Sequence, residues 1–470
     1  MTVLTAQKAN AQTTFDLDRI RASVRGEILT PGDSGYDEAR RIWNAMIDKR
    51  PGFIVRPRGT ADVMASIRFA REMGLAVSVR GGGHNIAGAA LNEGGVMIDM
   101  SLRRAIRVDP ENRVVRVEGG ATWGDVDQET QAFGLIVPSG IVSTTGVAGF
   151  TLGSGFGWTS RKFGFAADNL LSADVVTAEA ELLHASPREN ADLFWALRGG
   201  GGNFGVVTSF EFRAHRHGPE ALCGMIVHPL ERGHEVARLF REITSDAPDE
   251  LCCLLILRLA PPLPFLPKAV HGKPIAAIAA HWTGDPEAGE AVLRALRSSK
   301  PIADTVTRKS FVAHQTMLDA GVPFGRRYYW KSDNFDTVDE GLSEVLLTSL
   351  GRMTSPFSAI LLMQLDGAPA RLNAGETAVG MRQARYVVNF QAGWDKAEED
   401  EHHIGWARAS LAATQPFSAG TPYVNFLTAY ETASRGTTAY NRSIYERLRD
   451  VKTKYDPSNL FRGPHNIVPR

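Results

Sequence analysis

One segment constrains this chain more than any other: Arg80-Gly81-Gly82-Gly83-His84-Asn85-Ile86-Ala87-Gly88. It follows the apolar run Leu75 to Val79, which reads as a buried strand. Glycines at this density let backbone N–H groups approach a ligand closely and converge on an anion, as in a phosphate-binding nest. A loop built for such approach also brings the imidazole of His84 to the ligand, and an imidazole nitrogen is a competent nucleophile. His84 is therefore the candidate anchor of whatever binds here.

A second glycine-rich segment begins at Pro138-Ser139-Gly140 and continues through Gly146, Gly149, Gly153, Gly155 and Gly157; Gly199 to Gly202 form a third. Two such loops, about 60 residues apart, can cradle a pyrophosphate. Neither is a Walker A loop, because no Lys-Ser or Lys-Thr follows in frame. Gly153-Ser154-Gly155-Phe156-Gly157 lacks the third glycine that a Rossmann fingerprint requires. Of the 46 glycines, 29 fall in residues 1–218, and their density drops near Arg216-His217-Gly218-Pro219, which reads as a domain boundary.

At 470 residues the chain is too long for one core. Lys+Arg and Asp+Glu both number 52, so bulk charge points to neither nucleic acid nor an anionic membrane. Met1 to Asp18 lack the pattern of an export signal, and no apolar run is long enough to span a bilayer. Cys223, Cys252 and Cys253 are too few and too badly spaced for a disulfide framework or a zinc motif. His314, His402 and His403 have no second ligand at metal spacing, so no metal is expected. A reducing, cytoplasmic location follows from the cysteine usage.

The first part reads as an amphipathic helix over 36–47, a strand near Phe53 to Arg56, a helix from Ala61 to Met73 and the strand that delivers the glycine loop. Thr122 and Asp125 form a capping-box-like start for a helix over 123–133. From about 219 to 420, apolar strands alternate with amphipathic helices, one of them over 286–297, the pattern of an antiparallel sheet with helices on one side. The whole is α+β.

Several separated motifs occur together in one order: Arg80 to His84, Gly94-Gly95-Val96-Met97-Ile98-Asp99, Pro138-Ser139-Gly140, Asp168-Asn169-Leu170, Asp192 to Gly201 with Phe204-Gly205, and Tyr455-Asp456-Pro457-Ser458-Asn459-Leu460-Phe461. In these the chain resembles the berberine bridge enzyme-like flavoprotein oxidases, including their 6-hydroxy-D-nicotine oxidase-like bacterial branch. These share the FAD domain of vanillyl-alcohol oxidase and p-cresol methylhydroxylase (the PCMH type). The resemblance implies a two-subdomain FAD-binding domain over 1–217 with its core over about 50–217. It further implies a substrate domain over 218–425 and a C-terminal segment, 426–470, returning to the FAD domain. It makes His84 the residue joined to the flavin 8α-carbon. Arg80, Gly81, Gly82, Gly83, Asn85 and Gly88 would hold FAD from the first loop. Pro138, Gly140, Thr144, Thr145, Gly146, Gly149 and Gly155 would do so from the second, with Val206, Asn425 and Asn466 elsewhere.

The departures from the family carry as much information. Bicovalent members have a cysteine where this chain has Val142, so a single covalent link is expected. Thr145 stands where oxygen-reactive members have a small β-branched residue. Ile86, Ile141, Val142, Phe156, Val387 and Phe426 occupy pocket positions that are polar, aromatic or ionisable in other members. What remains for catalysis is Tyr423, the amides Asn389 and Gln391, and Tyr329 from the aromatic strand Tyr328-Tyr329-Trp330-Lys331, with Lys331 as an alternative. Such a pocket is poor for a sugar, which needs many hydrogen bonds, and suits a flat or apolar molecule. The expectation is an FAD-dependent oxidase. It would take a hydride from a small alcohol, phenol-like compound or amine and pass the electrons to O2 to give H2O2. The rival expectations are a flavin dehydrogenase or redox-neutral flavoenzyme, and a non-catalytic flavin- or sugar-binding protein.

Overall fold

A computed structural model describes residues 16–429, 431 and 438–470; most of the leader reading, Met1 to Phe15, lies outside these. Two small sheets build the N-terminal half. In the first, Phe53–Arg56 and Val77–Arg80 both run parallel to Val96–Asp99, with Glu27–Leu29 on the edge. The helix Thr60–Glu72 makes the crossover; its buried face, Val63, Ile67 and Ala70, recurs at helical spacing and packs on Phe53, Val77 and Val96. The second sheet is antiparallel, in the order Ile106–Asp109, Val114–Glu118, Val206–Arg213, Leu170–Val176, Leu182–Ala185. Thr122 and Asp125 close a capping box on the helix Trp123–Gln131, as their spacing predicts.

The C-terminal half is organised by an eight-stranded sheet whose main path is Ala303–Asp304, Glu220–Pro229, Pro274–Trp282, Leu251–Leu259, Ala359–Gln364, Tyr386–Trp394, Arg327–Phe335. Helices Gly233–Ser245, Glu340–Gly351 and Asp400–Thr414 cover one face, forming a core with Phe240, Leu346 and Trp406. The other face turns toward the first half and packs Leu254, Ile256 and Met363 with Phe156, Trp158 and Tyr423. A strand buried on both faces must be apolar throughout, which explains the unbroken run Leu251-Cys252-Cys253-Leu254-Leu255-Ile256-Leu257.

The helix Arg442–Tyr455 returns to the first half and packs on Ala191–Leu197. Its Lys452 is fully buried, yet every donor has a partner: Asp456 Oδ2 at 2.6 Å, Phe461 O at 2.7 Å and Asn203 O at 2.8 Å. That ion pair pins the C-terminal segment beside the third glycine run.

Two expected helices come out differently. The span 36–47 is helical only at Tyr36–Ala39. Beyond it, Trp43 Nε1 donates to Val322 O at 2.7 Å, and Asn44 Nδ2 donates to both Ile86 O and Tyr328 O. The backbone follows, with Trp43 N donating to Gly83 O and Ala45 N to Arg326 O in place of a helical ladder. The span 286–297 is interrupted at Leu293, leaving Pro286–Val292 and Arg294–Arg297.

Candidate functional site

The two glycine loops meet backbone to backbone. A Cβ on Gly82 would lie 2.5 Å from Gly146 N, and one on Gly146 would lie 2.3 Å from Gly82 N, so neither position admits a side chain. Gly83 has φ +69°, which turns the chain so that His84 follows on the inner side. Asn85 Oδ1 accepts from the N–H groups of Ala87 and Ala89 and holds the turn closed. By contrast a Cβ on Gly149 or on Gly202 would meet nothing within 4 Å. Those two glycines border open space.

That space is a cavity of about 690 Å³ between the halves of the molecule, within the usual range for ligand sites. The glycine loops form one wall. The eight-stranded sheet forms the opposite wall with Leu254, Ile256, Leu361, Met363, Val387, Asn389 and Gln391. His84 lies between them, its ring stacked 5.2 Å from Trp43 at an interplanar angle of 18° and meeting the edge of Phe324. Its Nε2 is 2.9 Å from Thr144 Oγ1. Burial pushes the His84 pKa down to about 3, so the ring is neutral at physiological pH and keeps a nucleophilic lone pair.

The sheet wall is apolar apart from its amides. Asn389 is buried, and neither its Oδ1 nor its Nδ2 has a partner in the protein. A buried amide without a protein partner is costly unless something in the cavity satisfies it. Tyr423 is also buried; its hydroxyl accepts from Asn425 Nδ2 at 2.9 Å, and Asn425 donates in turn to Phe150 O. Burial raises the Tyr423 pKa, so the phenol stays protonated and serves as a hydrogen-bonding group rather than as a base. Phe156 and Phe426 pack against its ring at 4.7 and 4.8 Å.

Of the residues singled out in the sequence, Gly81, Gly82, Gly83, His84, Asn85, Gly140, Thr145, Gly146, Gly149, Val206 and Asn425 lie on the cavity wall. So do Ile141, Val142, Phe156, Val387, Asn389, Gln391, Tyr423 and Phe426. Others stand behind it. Arg80 Nη1 donates to Ala39 O; Gly88, at φ +73°, makes room for Ile47; Gly155, at φ +71°, makes room for the Phe150 ring; Thr144 backs His84. Pro138 and Asn466 are off the wall as well.

Three expectations need correction. Ile86 does not face the cavity; it packs with Trp43 and Tyr328 at the junction of the halves. Tyr329 points to the helical face of the sheet, where its hydroxyl accepts from Arg408 Nε at 3.1 Å, and Lys331 pairs with Glu431 at 2.8 Å. Trp330 is the residue of that strand on the wall, because it lies directly opposite Gln391 in the antiparallel register. Near the C-terminus the wall carries His465, not Asn466. His465 has both ring nitrogens unpartnered, and burial lowers its pKa to about 4. Its place two residues after Gly463, beyond the matched Tyr455 to Phe461 segment, was the available signal.

Comparison with known proteins agrees with this geometry. The family model described as "FAD binding domain" matches residues 51–186, and that described as "Berberine and berberine like" matches 422–468. The chain is 30% identical to an FAD-linked oxidoreductase of Dictyostelium discoideum over 458 residues, covering 95% of each. It is 30% identical to (R)-6-hydroxynicotine oxidase of Paenarthrobacter nicotinovorans, covering 95% of this chain and 97% of that one. The crystal structure of 6-hydroxy-D-nicotine oxidase from Arthrobacter nicotinovorans superposes with a TM-score of 0.83 at 28% identity, over 95% of this chain and 98% of that one. The Physcomitrella patens berberine bridge enzyme-like protein 1 shares the fold, with a TM-score of 0.85 at 21% identity over 97% and 99% of the two chains. An interlocked glycine cradle, open glycines bordering a cavity and a neutral histidine at its edge suit FAD, and on these grounds the chain belongs to the berberine bridge enzyme-like FAD-linked oxidoreductases.

Proposed function

We propose that FAD is attached to this protein through one covalent bond to His84, and that the enzyme is an oxidase of small, largely apolar molecules. The observation that carries the first part is the state of His84: neutral, held by Trp43, and with Nε2 engaged by Thr144. Nδ1 is then the nitrogen left to bond the flavin 8α-carbon. Val142 supports a single bond, since among the described residues no cysteine lies on the cavity wall. Gly81 to Gly83 and Gly146 to Gly149 would receive the pyrophosphate and ring edge.

FAD, when bound, supplies acceptance of a hydride from the substrate and reoxidation by O2 with release of H2O2. The residues supply orientation and exclusion of water. Leu254, Ile256, Leu361, Met363 and Val387 offer an apolar surface; Asn389 and Gln391 supply hydrogen bonds at fixed points on it. Thr145, small and β-branched, leaves room for oxygen to reach the ring. Tyr329 is turned away and the Tyr423 phenol is held protonated. Of the three substrate classes, an amine bound in its neutral form needs no proton acceptor and is served most directly. The three free, buried thiols support a reducing, cytoplasmic location.

The test is acid precipitation of the purified protein, followed by a screen of amines, alcohols and phenols for peroxide release in air. Yellow precipitate from wild type and colourless precipitate from His84→Ala are expected, with amines the most active. Free flavin in the wild-type supernatant would overturn the covalent reading. Turnover only with an added dye acceptor would overturn the oxidase reading.

A further inference from the structure

Away from the flavin cavity, a second set of chemically capable groups gathers at the seam between the two halves. Cys223 on Glu220–Pro229 and His281 on Pro274–Trp282 are direct cross-strand partners, so their side chains share one face of the sheet. The short helix Phe311–Gln315 lays His314 over that face, its ring stacked 4.9 Å from His281. The ligand atoms of Cys223, His281 and His314 all lie within 4.8 Å of one another. All three residues are at most 1% exposed. His314 has no partner on either ring nitrogen, and His281 has none on Nδ1. On its other side, His281 Nε2 is 3.0 Å from Nε2 of His217, which arrives from the first half just after the strand His215–Arg216.

We propose that Cys223, His281 and His314 bind a zinc ion, with His217 orienting His281 from behind. One thiolate and two imidazoles form a soft, nitrogen–sulfur donor set that suits a d10 thiophilic cation. Tetrahedral zinc places such ligand atoms about 3.3–3.7 Å apart, so binding would draw the set together and turn the stacked His281 and His314 rings until a nitrogen of each points at the ion. Cys223 Sγ now donates to Ala221 O; on binding, that proton is released to solvent and the sulfur–metal bond forms in its place. Trp158, 4.6 Å from His314, and Phe311, 5.6 Å from His281, border the site, and a water would complete the tetrahedron. Three buried nitrogens without partners are costly to maintain, and a metal would occupy two of them, one on each ring.

The site has a consequence for the flavin cavity. Gln315, the neighbour of His314, donates from Nε2 to Gly140 O at 2.8 Å and to Ser139 Oγ at 3.1 Å. Zinc would therefore fix the helix that supports the second glycine loop.

The test is metal analysis of full-length, flavin-loaded protein produced with zinc in the medium, before and after dialysis against a chelator, with reconstitution by zinc or cobalt(II) alone. About one zinc per chain is expected, with X-ray absorption reading one sulfur near 2.3 Å and nitrogen near 2.0 Å. The cobalt form should show ligand-field bands to the red of the flavin. Cys223→Ser and His314→Gln should each lower metal content at least tenfold while keeping the flavin. Wild-type protein free of zinc, and showing no cobalt bands, would overturn the proposal, leaving a metal-free histidine cluster. So would zinc whose first shell lacks sulfur, a reading that requires no variant to fold.

Discussion

Thr144 Oγ1 lies 2.9 Å from His84 Nε2, which ties the second glycine loop to the one catalytically capable nitrogen ring of the first. The contact sets which imidazole nitrogen is left facing a ligand. Thr144→Val removes one hydrogen bond worth about 1 kcal/mol, so covalent flavin incorporation should slow about fivefold, with Thr144→Ser restoring it. The time course of acid-stable yellow colour in apoprotein given FAD measures this; equal rates for wild type and Thr144→Val would refute it.

Gly82 and Gly202 are glycines for different reasons. Gly82 touches the Gly146 backbone, so Gly82→Ala forces the loops apart and should cost about 2–3 kcal/mol of stability. Gly202 faces open space, so Gly202→Ala should change stability by less than about 0.5 kcal/mol. Chemical denaturation of the two apoproteins separates the cases, and flavin content then reports whether cofactor fills the space beside Gly202.

Asn389 presents one amide to the cavity, with both its Oδ1 and its Nδ2 unpaired in the protein. Asn389→Leu removes a desolvated polar group, so the variant should melt at the same or a higher temperature, with a gain on the order of 1 kcal/mol. Its KM for substrates bearing a hydrogen-bonding group should rise at least about tenfold. A destabilised variant with unchanged KM would show that Asn389 serves packing alone.

Asp127 sits on the helix Trp123–Gln131, fully buried, with both carboxylate oxygens unpartnered. Burial raises its pKa well above the ordinary 3.8. The folded state therefore holds the proton more tightly than the unfolded state. Its contribution to stability is fully present below about pH 3.8 and is lost as pH rises through the folded value. Asp127→Asn should accordingly be more stable than wild type near neutral pH, and the advantage should vanish in acid. Melting curves across pH test this, and a constant difference at every pH would contradict it.

Much of the candidate site was legible in the sequence because glycine cradles are local. Gly81 to Asn85 and Gly140 to Gly149 form by backbone geometry that few other residues permit, and they appear on the cavity wall where their spacing suggests. Val387, Asn389 and Gln391 were legible as one face of a strand, since alternation alone relates them. Tyr329 failed for the complementary reason. Which of Tyr329 and Trp330 faces inward depends on pairing with Gln391, and a register is set by another strand. Ile86 and the span 36–47 failed because Trp43 and Asn44 bond across the halves, a gain no local propensity anticipates.

By itself, then, the sequence determined that a histidine would sit among glycines at a site of close backbone approach, and that Val142 rather than a cysteine would stand on the second loop. It determined the apolar character of the wall opposite, because strands buried on both faces must be apolar. Only the tertiary structure decided which side chains of those strands look into the cavity, through cross-strand register. It alone brought together Cys223, His281 and His314, which lie on two strands and a helix with no motif spacing between them. Local geometry is written in neighbouring residues; a constellation is written in the packing of elements, where chain separation no longer measures distance.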